Sequence, residues 1–188
     1  MKEPLKLGLI LLIITTICAG LLGFVNSQTA PIIVKGKEAA QQEAVRGLLE
    51  EAKDIQIVPV TDGEKLETVF VTYADGKYTG AVAKVYPDGY GGSIELLVGM
   101  HADGTLAGVQ ILSHAETPGL GANMLQPSFK DQFVGKGTPL AVNKTTGSDT
   151  EIMAITGATI TSTAVVNGVN LATEYMKAHQ TNWEKGEY

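Results

Sequence analysis

Five hydroxyl side chains and one glycine crowd into nine residues, Ile155-Thr156-Gly157-Ala158-Thr159-Ile160-Thr161-Ser162-Thr163. An apolar-periodic segment, Ala164 to Met176, follows and reads as a helix. The first N–H groups of a helix have no partner within it, and the aligned peptide dipoles favour negative charge there. The stretch is therefore a potential anion site. Thr161 or Ser162 is the expected N-cap, and Gly157 with Ala158 leaves room for a bulky group to approach the backbone. The plainer alternative is a hydroxyl-rich helix start with no ligand.

A second stretch, His114-Ala115-Glu116-Thr117-Pro118-Gly119-Leu120-Gly121-Ala122-Asn123-Met124, has the makings of a ligand loop. Two glycines flanking Leu120 let the backbone pass close under a flat molecule. Leu120 would offer an apolar face, with Glu116 and Thr117 as polar groups. It is not a dinucleotide fingerprint, because Met124 falls where the third glycine is required. A simple Pro-Gly turn is its plainer reading. Other chemistries find no support. His101, His114 and His179 lack metal-ligand spacing and cysteine partners, so no metal site is expected. His114-x-Glu116 is half of a zinc deaminase signature with no PCxxC to complete it. No G-x-S-x-G is present. Catalytic residues are therefore assigned to none of these.

The elements that must position the two stretches follow from patterning. Ile55 to Val60 and Glu67 to Tyr73 read as strands, and Ala74-Asp75-Gly76-Lys77 as a hairpin turn. Tyr78 to Tyr86 is the return strand. The turn Pro87-Asp88-Gly89-Tyr90-Gly91-Gly92 leads to a strand from Ser93 to Met100. Ala102-Asp103-Gly104-Thr105 is a second Asp-Gly turn before the strand Leu106 to Ser113. A short helix is expected from Phe129 to Phe133 and a loop from Gly135 to Ser148. Lys37 to Lys53 is rich in helix formers, and Asn26 to Gly36, with Pro31, reads as an extended linker. The fold class is α+β, a curved antiparallel sheet with flanking helices, plus one N-terminal transmembrane helix.

That last element is Leu7 to Val25, nineteen residues without a charge. At 1.5 Å per residue it extends about 28 Å, close to the thickness of a bilayer's hydrocarbon core. The run exceeds the usual ~7–15 apolar residues of a cleavable signal, which favours a retained anchor. Residues 1–26 are thus expected as the anchor and 27–188 as an extracytoplasmic domain. Lys2 and Lys6 precede the span and Lys35 and Lys37 follow it, which puts the N-terminus in the cytoplasm. Cys18, the only cysteine, lies within the span. The domain beyond it has no disulfide or thiolate ligands, so redox chemistry there needs an organic cofactor. The chain's formal charge is -6. Without Lys2, Lys6 and Glu3 the remainder is one charge more negative still, and such a domain repels nucleic-acid phosphates.

With ETPGLG at the end of a strand and TGAT before a helix, behind one N-terminal span, the chain resembles the FMN-binding domain of the G subunit of the Rnf complex. The C subunit of the sodium-pumping NADH:quinone oxidoreductase is that family's close relative. The resemblance covers essentially the whole chain. It implies a membrane-anchored electron-transfer subunit of a complex coupling electron flow between ferredoxin and NAD to Na+ or H+ translocation, without turnover of its own. It implies FMN held by a phosphoester to Thr159, the last threonine of Thr156-Gly157-Ala158-Thr159, installed by a flavin transferase acting on FAD. Glu116, Thr117, Gly119, Leu120 and Gly121 would line the isoalloxazine ring. Thr156, Gly157, Ala158, Ile160 and Thr161 would surround the phosphate and ribityl end. Neither stretch contains an aromatic residue, so the ring is expected to be held by backbone hydrogen bonds and aliphatic contacts rather than stacking. Met153 stands where the family commonly has an aspartate three residues before the S/T-G-A-T motif. The implied partners are the other Rnf subunits, membrane and iron–sulfur proteins, together with the bilayer. Two alternatives stand beside this one: a free-standing extracytoplasmic flavin carrier, and a flavin-free anchored ligand-binding or scaffolding module.

Overall fold

The computed structural model describes residues 2–60 and 65–187. It comprises two compact units, one ending at Gln42 and the other starting at Glu43. Helix α1 (Lys2–Leu48) supplies the whole of the first. Its most apolar window of 18 residues has a mean hydropathy of 2.5 and is not buried, so this helix is long and apolar enough to cross a membrane. The Lys2 side chain, part of the orientation argument, lies outside the described residues.

Residues 26–36, expected as an extended linker, are helical instead. Pro31 removes one N–H from the helical ladder. The polar residues before it nevertheless bond within the helix. Ser27 Oγ donates to Phe24 O at 2.7 Å and Thr29 Oγ1 to Val25 O at 3.0 Å. Beyond the β-branched and glycine residues that follow, the run of strong helix formers from Lys37 to Gln42 continues the ladder.

In the second unit α1 ends at Leu48 rather than Lys53. The chain turns there, and Lys53 N–H reaches Tyr73 O at 3.0 Å as the first strand begins. Five antiparallel strands then follow in simple meander order: β1 (Asp54–Pro59), β2 (Leu66–Ala74), β3 (Lys77–Val85), β4 (Glu95–His101) and β5 (Leu106–Ser113). At the β2–β3 hairpin Asp75 and Gly76 take φ of 52° and 77°, both positive as a type I′ turn demands. Register shifts at Thr72/Tyr73 and Gly99/Met100 are the irregularities that bend such a sheet.

Alternation along the strands gives the sheet two apolar faces. Val69, Val71, Ala83, Leu96, Val98 and Val109 pack under helix α3 (Thr159–Glu184), which buries Val165, Val169, Ala172 and Met176. Phe70, Val82 and Leu97 point the other way and are covered by Val45, in the last turns of α1, and Leu49 just after it. Burying one such side chain is worth about 1.5–3 kcal/mol, so α3 and the segment from Glu43 to Leu49 are held to the sheet mainly by these stripes. α3 extends beyond the expected Ala164–Met176 at both ends, and Trp183 near its C-terminus is buried beside Tyr78, Tyr175 and His179. Between β5 and α3 lie a short 3-10 turn (Gly121–Leu125), helix α2 (Pro127–Lys130) and a second 3-10 turn (Asp131–Phe133). The expected loop from Gly135 to Ser148 contains a strand, β6 (Ala141–Asn143), which pairs in parallel with β7 (Glu151–Met153). Three-residue strands leave too little periodicity to be read from sequence.

At the sheet surface Lys84 pairs with Glu67 at 3.1 Å and Glu95 at 3.0 Å, while the Tyr86 phenol donates to Glu67 at 2.6 Å. That phenol holds the Glu67 carboxyl below its ordinary 4.5, against the smaller opposing effect of burial and with help from Lys84. A depressed carboxylate stabilises the fold above its unfolded value, and the contribution is lost as pH falls through the folded one. Tyr86→Phe should therefore lower thermal stability at neutral pH, with the gap from wild type narrowing on acidification below about 4.5. A pH series of melting curves on the two proteins reads this directly.

Candidate flavin cleft

The strand β7 delivers the chain to Ile155, where a tight turn must form before α3. Ala158 N–H bonds to Ile155 O at 2.9 Å, and Gly157 takes φ of 76°. This is the positive φ at the third turn position that favours glycine. Ser162 then fastens the turn. Its Oγ accepts from Ile155 N–H at 3.0 Å and donates to Ala158 O at 3.0 Å. The expected N-cap role for Thr161 or Ser162 is thus corrected. The helix already begins at Thr159, and its cap position is Ala158, whose side chain makes no capping hydrogen bond. Both hydroxyls are buried in the first turn, engaged elsewhere.

Because Ser162 N–H is the first to bond back into the helix, to Ala158 O at 3.0 Å, the N–H groups of Thr159, Ile160 and Thr161 have no helical acceptor. The uncapped start leaves these donors and the positive end of the helix dipole available to an anion. Thr159 is half-buried, and its hydroxyl has no hydrogen-bond partner among the described residues.

The loop after β5 meets this turn through Glu116. The side chain is 6% exposed, and Thr161 Oγ1 donates to its Oε2 at 2.7 Å. Gly91 N–H donates to Oε1 at 2.9 Å. The backbone N–H of Glu116 donates to His114 Nδ1 at 3.1 Å. One carboxylate therefore ties three segments together: the turn after β3, the loop after β5 and the start of α3. The packing around it is close. A Cβ on Gly121 would overlap Glu116 Oε2 and lie 2.7 Å from Thr161 Oγ1, so only glycine fits.

Between the two loops opens a cleft of about 480 Å³, within the range of small-molecule sites. It is lined by Glu116, Thr117, Leu120, Gly121, Gly157, Ala158, Thr159, Ile160 and Thr161. Nine of the eleven residues expected from sequence thus meet at one place, although the two stretches lie some forty residues apart. Gly119 and Thr156 do not line it. Gly119 forms the turn, its carbonyl accepting from Asn123 Nδ2 at 3.0 Å, and Thr156 is exposed in the turn before Ala158. One lining residue was missed. Tyr90 also borders the cleft, an aromatic side chain that neither stretch contains. It sits in the turn after β3, outside both stretches. The available signal was a lone bulky side chain in a run of three glycines.

FMN fits these features. The residues offer a volume of the right order, N–H donors without helical acceptors at a helix start for a phosphate's charge, and an unengaged hydroxyl beside them. No cluster of three or more His, Cys, Asp or Glu side chains able to hold a metal occurs among the described residues.

Comparison with known proteins agrees with this geometry. The model of the FMN-binding domain matches residues 89–174, and that of the RnfG N-terminal region matches residues 1–46. The chain is 37% identical to the G subunit of the Na(+)-translocating ferredoxin:NAD(+) oxidoreductase complex of Acetobacterium woodii, over 91% of this chain and 90% of that one. It is 40% identical to the G subunit of the proton-translocating ferredoxin:NAD(+) oxidoreductase complex of Clostridium ljungdahlii, over 78% and 77%. Among solved structures, the C subunit of the Na(+)-translocating NADH-quinone reductase from Parabacteroides distasonis shares the fold. That match has a TM-score of 0.53 and 23% identity, over 68% of this chain and 78% of that one. With an FMN-binding domain behind an RnfG N-terminal region and relatives matched nearly end to end, the chain belongs to the RnfG family, the G subunits of ion-translocating oxidoreductase complexes.

Proposed function

We propose that this protein is the flavin-carrying relay subunit of such a complex, with FMN joined through its phosphate to Thr159. The observation that carries the proposal is the position of that hydroxyl. It lines the cleft at the uncapped start of α3, unengaged and next to N–H groups without helical acceptors. FMN supplies reversible one- and two-electron chemistry at its ring, and everything else falls to the chain.

Attachment would be a phosphoryl transfer by a separate transferase. The Thr159 Oγ1–P bond forms as the pyrophosphate P–O bond of FAD breaks. AMP leaves with the bridging oxygen, and the hydroxyl proton is released to a base. The diester keeps one negative charge, which the N–H groups of Thr159, Ile160 and Thr161 can hold without a cation. Leu120 would shield the ring end and Ile160 the ribityl end from water, while Glu116 keeps the two walls in register. A tether suits a relay, which gains nothing by releasing its cofactor.

The apolar run in α1 would anchor the chain once across the membrane, with the N-terminus in the cytoplasm and the second unit outside. The partners are the other subunits of the complex, which bring electrons to and from the cleft. The relatives' names specify both sodium and proton translocation, and the residues of the cleft do not choose between them.

The test is the intact mass of the full chain, purified in detergent after expression with and without a flavin transferase. A gain of one FMN less one water, mapped to the peptide containing Thr159, is the expected result. No gain with an active transferase present would sink the covalent reading.

A further inference from the structure

We propose that Gln132 is a positioning residue for the modification of Thr159: its carboxamide acts as a neighbouring strand would along β7, and so fixes the approach to the turn that presents the hydroxyl. This rests on the covalent flavin reading above and gives a role to a side chain that does not line the cleft.

β7 is too slight to place that turn alone. It has three residues and pairs with the three residues of β6. Two short strands are marginal without further support, and parallel pairing is slightly the weaker kind. Backbone groups alternate sides along a strand. Ala154 N–H bonds to Asn143 O of β6 at 2.7 Å, so the N–H and carbonyl of Met153 point away from β6. Gln132, in the second 3-10 turn, meets both. Its Oε1 accepts from Met153 N–H at 2.7 Å, and its Nε2 donates to Met153 O at 3.4 Å and to Ser128 O at 3.1 Å. One amide taking the N–H and the carbonyl of a single residue is the pattern of an antiparallel partner. Lys136 does the same work at the start of β7, its Nζ donating to the carbonyls of Ser148 and Glu151, the latter at 2.8 Å.

Both side chains spring from a fixed base. Phe133 is fully buried, with its ring 5.5 Å from that of Phe129. Gly135 N–H bonds to Leu106 O, and Leu106 N–H to Lys136 O, each at 2.8 Å, which ties the segment to β5. From Met153 the hold passes along the chain toward the attachment point. Ala154 is tied to β6, Ile155 N–H to Ser162 Oγ at 3.0 Å, and Ala158 N–H to Ile155 O at 2.9 Å. Thr159 is the next residue. Gln132 is only half-buried, so water could satisfy its amide, and burial does not force these backbone bonds.

Transfer of FMN from FAD to Thr159 Oγ1, with AMP leaving, needs that oxygen placed in line with the phosphorus. Displacing a reacting atom by about 1 Å can cost about 100-fold in rate. Loss of the Gln132 amide loosens one of the successive ties, so the transfer should slow while the two proteins still bind each other. The experiment uses the full chain made without a transferase and purified in detergent, as wild type, Gln132→Ala and Gln132→Glu. Each is incubated with purified flavin transferase, FAD and magnesium below its melting transition, and covalent flavin per chain is followed by intact mass at several chain concentrations. The expected result in Gln132→Ala is a kcat of transfer lower by about ten-fold, with KM for the chain unchanged. Gln132→Glu still accepts from Met153 N–H and should keep most of the rate. An unchanged kcat in Gln132→Ala, whatever its melting temperature, overturns the proposal and leaves Gln132 a part of the fold alone. A raised KM at unchanged kcat also overturns it, since Gln132 would then be a contact of the transferase. Wild type that gains no flavin overturns the covalent reading, and this inference with it.

Discussion

Thr159→Ala is expected to carry no covalent flavin under conditions that load wild type with one per chain, while its melting temperature stays close to that of wild type. The two halves of this result have separate causes. Alanine removes the only atom that can form the phosphoester at this position, so the loss in the intact-mass measurement is complete. Stability is spared because the Thr159 hydroxyl makes no hydrogen bond that folding would lose, and alanine at a helix start is a favourable residue. The change should fall within about 0.5 kcal/mol. The neighbouring hydroxyls do not offer a substitute. Thr161 is committed to Glu116, and Ser162 to Ile155 and Ala158, with both side chains buried. Thr156 is exposed but outside the cleft. Retention of one flavin in Thr159→Ala would mean that attachment lies elsewhere and that the uncapped helix start has another use.

How far the sequence revealed this arrangement depends on the range of the interactions involved. The two Asp-Gly turns and the β-branched runs between them are local signals, and all of the strands expected from them exist within a residue or two. The helix after TGAT was likewise visible, since its apolar stripe is local. Two local readings failed where context outweighed propensity. Pro31 and its polar neighbours read locally as a linker, yet the Ser27 and Thr29 hydroxyls bond back to carbonyls of the preceding turn within a continuous helix. The parallel β6–β7 pair joins three-residue strands ten residues apart, too short to show a period. The site shows the same division. Which residues gather at the cleft followed from two motifs, but what each does there did not. Thr161 and Ser162 have the chemistry of N-caps, and only the three-dimensional position of Glu116 and Ile155 assigns them other partners. Tyr90 is invisible to any reading confined to the two motifs, because the tie that brings it to the cleft is a hydrogen bond from Gly91 spanning twenty-five residues.

Glu116 is the residue on which that convergence depends, and its replacement should have the largest effect on stability. In Glu116→Ala the Thr161 hydroxyl, 1% exposed, and the Gly91 N–H both lose their acceptor. A buried donor left unpaired costs about 1–3 kcal/mol. The threonine hydroxyl can turn to a carbonyl of the preceding helical turn, which offsets part of this. Removal of a buried carboxylate also relieves its desolvation. The net expectation is a loss of about 2–3 kcal/mol, which for a domain of this size lowers the melting temperature by roughly 5–10 °C. Glu116→Gln should fall by only about 1 kcal/mol, since the amide can still accept from Gly91 and donate to the Thr161 oxygen. Denaturation of the three proteins in parallel decides the matter. Equal losses in alanine and glutamine would show that the negative charge itself, set against the start of α3, is what stabilises the contact. A larger loss in alanine assigns the role to the pair of hydrogen bonds. In that case the loosened turn after β3 should also let Tyr90 swing from the cleft, so that a residue whose two oxygens hold two other segments controls how the flavin's surroundings are built.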